Sequence, residues 1–156
     1  MRQIALTLVA CAGLGACATT GGDYPRLRYA SAAEAGPVAL QLAGRPSEAE
    51  MADAEERWAQ AITDAYACRI NALAVSEAGI IGSMELAAMS AASRGRQDPF
   101  DGVLGYMAAM GRHGTDGSGR PPAERCERLR SWVGDVRYRG RSLLLRAAED
   151  RLLPPR

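Results

Sequence analysis

The sequence predicts an all-α protein, an antiparallel helical bundle of about four helices, two long and two short, behind an N-terminal signal and a flexible tether. Three observations predict it. From residue 47 onward apolar residues recur at steps of three and four, the period of a helix with one buried face. Helix-start signals stand at Pro46-Ser47-Glu48-Ala49-Glu50 and Asp98-Pro99-Phe100-Asp101, where a capping side chain precedes acids in the first turn. The length of 156 residues, 47% hydrophobic and 24% charged, suits one core and hardly two.

The N terminus reads as an address. Met1-Arg2-Gln3 carries one positive charge, and Ile4 to Ala16 is uncharged, mostly apolar and ends in small residues, the layout of a secretory signal. No charge appears until Asp23, which is long enough for a single spanning helix, but Gly13, Gly15, Gly21 and Gly22 break the tract. Leu14-Gly15-Ala16-Cys17 resembles the lipobox of bacterial lipoproteins: an aliphatic residue, two small residues and Cys. The resemblance implies a signal peptide over residues 1–16 and acylation of Cys17 as the first mature residue. Leu8-Val9-Ala10-Cys11 fits the same pattern behind a shorter apolar run, so Cys17 is the better match. Ala18, in place of the Asp that retains enteric lipoproteins at the inner membrane, implies the outer membrane, facing the periplasm.

Residues 17–46 then read as the lipidated Cys and an extended tether, because Pro25, Pro37, Pro46 and four Gly interrupt residues 18–46. Val38, Leu40 and Leu42 alternate with small or polar residues, so that piece reads as a short strand or a segment lying on the domain. Residues 47–156 are expected to form the bundle. A long first helix over 47–78 carries Met51, Trp58, Ile62, Cys68 and Val75 on its apolar seam. Gly79-Ile80-Ile81-Gly82 reads as a break, after which Ser83 caps a short helix to about Ser93. The third helix starts at Asp98 and ends at Gly111, and the glycine-rich stretch to Gly119 is a loop. A final long helix from Pro121 sets Cys126, Leu129, Val133, Val136, Gly140 and Leu143 on one seam, flanked by Trp132 and Leu144, before Pro154-Pro155 stops it.

Residues 47–78 hold seven acids and two Arg, whereas residues 120–156 hold ten Arg and five acids, which favours docking the first helix on the last. An exported chain meets an oxidising compartment, so Cys68 and Cys126, both on apolar seams, are expected to form a disulfide. Cys68 lies 21 residues from Ser47 and Cys126 lies 26 from Leu152. Antiparallel helices leave these positions mismatched by about 8 Å, parallel ones by about 25 Å.

The net charge of +1, reached with Arg and no Lys, gives no field for gathering nucleic acid. The Arg residues of the last helix, among them Arg125, Arg130, Arg137 and Arg141, read as grips for phosphate or an acidic partner, or as a solvated face that the first helix neutralises. Three function classes follow. The first is a non-catalytic, lipid-anchored helical adaptor for another envelope protein, needing no cofactor, whose groove lies beside Trp58, Ile62 and Trp132. Helical pilotins of secretion-system secretins look similar in plan. The second is a periplasmic copper-binding protein using Met107, Met110 and His113, with Met84 and Met89 completing a soft ligand set. The third is an envelope enzyme or enzyme inhibitor, for which Glu77 and Glu85 flanking the expected break are the candidate acid pair.

Overall fold

A computed structural model describes residues 24–93, 98–115 and 119–152. Among the described residues the chain forms six helices and no strand: α1 Tyr29–Ala35, α2 Pro37–Ala43, α3 Glu48–Ala67, α4 Ala72–Ala92, α5 Pro99–Thr115 and α6 Ala123–Leu152. The all-α bundle is as expected; the division of the chain into helices differs at four places. The lipobox, Cys11, Cys17 and the signal over 1–16 lie outside the described residues.

The expected first helix is two. At the end of α3 the amide of Ile70 donates to the carbonyl of Ala65 and that of Arg69 to Tyr66, the paired bonds of a Schellman turn. Arg69 holds the left-handed position with φ 57°, where Gly is usual. Asn71 then caps α4 by accepting from the amide of Ala74 at 3.0 Å. With no Gly or Pro in Cys68-Arg69-Ile70-Asn71, the turn escapes a reading of breakers.

Gly79-Ile80-Ile81-Gly82, conversely, is no break. α4 runs straight through it, because a Cβ at Gly82 would stand 2.5 Å from the Trp58 ring and one at Gly140 2.6 Å from the Ile81 side chain. These glycines let helices approach, which outweighs their cost of roughly 1 kcal/mol inside a helix. α4 is apolar enough and, at 21 residues, long enough to cross a membrane, with half of its most apolar window buried inside the fold. It touches α1, α3, α5 and α6, so it is the central helix of the domain. α5 also runs four residues past Gly111, to Thr115.

Four helices make the bundle. α3 and α4 are antiparallel, since Tyr66 meets Ser76 at one end of the hairpin and Trp58 meets Gly82 farther along. α5 runs alongside α3, with Gly102 by Met51 and His113 by Glu56. α6 runs against α3, pairing Arg125 with Asp64 and Trp132 with Trp58. The Cys68–Cys126 disulfide, Cα atoms 5.4 Å apart, joins the end of α3 to the start of α6, as the antiparallel expectation requires. Trp58, Met51, Ile62, Ile81, Leu86, Leu129 and Val75 are fully buried, and the Trp58 and Trp132 rings lie 5.5 Å apart.

The fourth difference is the stretch expected as tether. Residues 24–46 fold into α1 and α2 and strap onto the bundle. Gly36 with φ 112° and Gly44 with φ 86° end the two helices in backbone that a side chain strains, and Pro37 opens α2 at its first turn. The glycines and prolines that read as linker are therefore helix punctuation.

Candidate functional site

The strap is held by an acid from another helix. α1 has no capping side chain of its own. Instead Glu85, in the middle of α4 and only 3% exposed, accepts the backbone amides of Arg28 and Tyr29 on Oε1 at 2.9 and 2.8 Å and that of Ala30 on Oε2 at 2.7 Å. One carboxylate thereby satisfies three orphan donors at a helix start. Burial pushes the Glu85 carboxyl above its ordinary range, against the pull of the three amides and of the Arg28 charge. The Arg28 guanidinium donates to the carbonyl of Ala43 and lies 5.4 Å over the Tyr29 ring, so it clamps the two ends of the strap. Farther along, the Trp132 indole donates to the carbonyl of Pro25 at 2.9 Å and the Tyr24 ring stacks on Trp132 at 5.7 Å.

Trp58, Ile62 and Trp132 do not line a partner groove. Trp58 and Ile62 are 1% exposed and Trp132 8%, and together they fill the core. The correction has a physical cause: the strap, taken as tether, covers Trp132, and Gly82 opens a seat for Trp58.

The acid pair does not form either. Glu77 and Glu85 stand eight residues apart on one helix, about 12 Å along its axis, with Glu77 on Arg137 at 2.5 Å and Glu85 capping α1. Tyr106, buried beside Gly79, has its hydroxyl pushed up to about 12 by desolvation, so it stays protonated at neutral pH.

The soft-ligand residues turn to different surroundings. Met107 is 61% exposed, Met110 is half-buried against the core, and His113 turns to α3, its Nε2 2.8 Å from Oε1 of Glu56. Glu56 also takes the Arg112 guanidinium at 2.7 Å, which holds its carboxyl below the usual range, helped by His113. Met84 packs on the main core and Met89 on a second cluster with Tyr29, Ala43 and Met51. Among the described residues no group of three His, Cys, Asp or Glu is placed to hold a metal ion.

On α6 six of the arginines are spent on carboxylates, while Arg141 lines a cleft with Tyr138 and Leu145. Arg125 meets Asp64, Arg137 meets Glu77 and Arg146 meets Glu34 across helices, while Arg128, Arg130 and Arg139 pair with acids one turn away. The two long-range pairs to α3 and α4 are the docking that the charge segregation predicts.

Apolar groups remain exposed on several faces, among them a cleft between α4 and α6 beside Tyr138, Leu144 and Leu145. α2 and the end of α4 border an open cleft of about 540 Å³ lined by Pro37, Leu40, Gln41, Arg45, Ala91 and Ala92, while Val38 and Leu42 are exposed on another face of α2. α5 exposes Phe100, Leu104 and Met107 at 69, 61 and 61%. Residue patterning finds the i, i+4, i+7 spacing of these three, but not that it faces away from the bundle, because Gly102, Tyr106 and Ala109 bind the other face to it. No protein family, curated protein or solved structure matches the chain.

Proposed function

We propose that the protein is a lipid-anchored envelope lipoprotein of the outer membrane, facing the periplasm, that works as a non-catalytic helical adaptor. The observation that carries the reading is the open cleft between α2 and the end of α4. Its size admits about one turn of an amphipathic helix, and Arg45 in its lining favours a partner segment that carries an acid beside its apolar residues. The lipobox resemblance supports the anchor, and the docked strap shortens the tether. Seven backbone steps separate Cys17 from Tyr24, a reach of about 24 Å when extended. Acylation at Cys17 therefore holds the bundle and its cleft close to the bilayer.

Fatty-acid labelling of the full chain tests the anchor: Cys17→Ser abolishes the label and Cys11→Ser keeps it. Equal labelling of the Cys17→Ser chain overturns the lipoprotein reading. A photo-crosslinking residue at Gln41, which is exposed and lines the cleft, compared with one at the exposed Leu73, tests the cleft. The adaptor reading expects one envelope protein joined through Gln41 and none through Leu73; the same products from both positions overturn it.

A further inference from the structure

We propose that α5 is a self-association surface, on which two copies of this chain pair with their α5 helices antiparallel. The inference goes beyond the adaptor reading, since it rests on a different face.

Phe100, Leu104, Met107, Ala108, Gly111 and Gly114 occupy one outward arc of α5, all exposed and none charged. At 100° per residue they span 120° of the helix, and only Asp101 and Arg112 border the arc, both on the same edge. A contiguous solvent face this apolar marks an interaction surface.

The arc is uneven along its length, and the unevenness selects the occupant. The large side chains Phe100 and Leu104 stand in its N-terminal half. Ala108, Gly111 and Gly114 stand in the C-terminal half, where a Cβ at either glycine would meet nothing within 4 Å. A second copy turned end for end about a two-fold axis centred between Leu104 and Met107 sets Phe100 over Gly111 of its mate, and Leu104 against Met107. Large residues then fill the space over small ones at both ends, as an isologous interface requires. A parallel pairing stacks Phe100 on Phe100 and leaves the glycines facing a void.

Charge makes the same choice. In the antiparallel pair the edge bearing Asp101 and Arg112 meets the same edge of the other copy in reverse order. Asp101 then lies within about 3 Å, along the axis, of Arg112 across the interface, twice over. In the parallel pair the two charged edges lie on opposite sides of the contact. Arg112 already touches Glu56 of its own chain, so the pairing extends an acid–base network across the axis.

The test uses the full-length chain in bacterial envelopes. A photo-crosslinking residue at Phe100 should give a product of twice the chain mass, with the attachment mapped to residues 108–112 of the second copy. A Phe100-to-Phe100 product, a product with a different protein, a lipid adduct or no product each overturns the proposal. In detergent, Leu104→Glu should weaken self-association about 100-fold while the circular dichroism and melting temperature stay near the parent's, because the side chain is outside the core. Asp101→Arg should weaken it about tenfold, and Asp101→Arg combined with Arg112→Glu should recover most of that loss. A double variant no better than the single one overturns the antiparallel register. Failure here leaves the labelling of Cys17 and the crosslinks from Gln41 untouched, so the two readings fall separately.

Discussion

The Trp58–Trp132 core and the strap of residues 24–46 are both closed over in the folded chain, yet different physics holds each. The core is a continuous apolar contact among α3, α4, α5 and α6, crosslinked by Cys68–Cys126. The strap buries Tyr29, Ala30 and Ala43 at its edge, and its start is fixed by polar contacts to Glu85 and Trp132. Apolar burial is spread over many atoms and degrades gradually. A buried carboxylate that caps three amides is a single point of failure, because removing it leaves all three donors unpaired. The core should therefore fail globally and the strap locally.

Trp58→Ala is the largest break. The ring is 1% exposed and sits on Gly82 and Trp132, so truncation should cost about 3–5 kcal/mol and lower the melting temperature of the whole bundle. A loss below 1 kcal/mol would place Trp58 outside the core. Reducing the disulfide comes next. The loop of 58 residues corresponds to at most about 4 kcal/mol in the chain-entropy account, and denaturant titration with and without reductant reads it. Helical circular dichroism should survive reduction, since α3 to α6 keep their packing.

Glu85→Ala sharpens the contrast. The expected cost is about 1–3 kcal/mol, confined to the strap: hydrogen exchange should lose protection over Tyr29–Ala35 while α3 and α6 keep theirs. Equal loss across all helices would show that strap and core unfold as one unit.

What could be read in the sequence follows the same division. The capping box at Ser47 and Glu50 is local and formed as read, and so is the Asp98 start of α5, with the amide of Phe100 on its carboxylate at 2.9 Å. The apolar seams predicted the core membership of Met51, Cys68, Leu129 and Val133, and with it the Cys68–Cys126 bond. The strap could not be read, because its cap is supplied by a residue 55 to 57 positions away. The α3–α4 turn was hidden by chemistry rather than distance: Arg69 takes a position where Gly signals the turn. Gly79 to Gly82 misled for the opposite reason, since close packing and helix breaking call for the same residue. Arg69→Gly should accordingly stabilise the fold by up to about 1 kcal/mol in thermal unfolding. A destabilised variant would mean that the Arg69 side chain contributes more than its backbone strain costs.

The smallest expected effect is a pH dependence of opposite sign at the strap and at the α3–α5 contact. Burial holds the Glu85 carboxyl above 4.5 in the docked strap, while a released strap leaves it near that value. The docked form therefore binds the proton more tightly. Its contribution is fully present below the released value and is lost as pH rises through the docked one, so exchange protection over Tyr29–Ala35, corrected for intrinsic rates, should increase as pH falls from neutral toward 4.5. Glu56 behaves in reverse. Arg112 holds its carboxyl below 4.5, so the α3–α5 contact is supported above that value and weakens as pH falls through the folded one. Glu85→Gln removes the titrating group but keeps an amide oxygen for two of the three donors, so it should flatten the strap's pH profile and cost less than Glu85→Ala. A profile unchanged by Glu85→Gln would assign the dependence to another group and leave Glu85 as a cap alone.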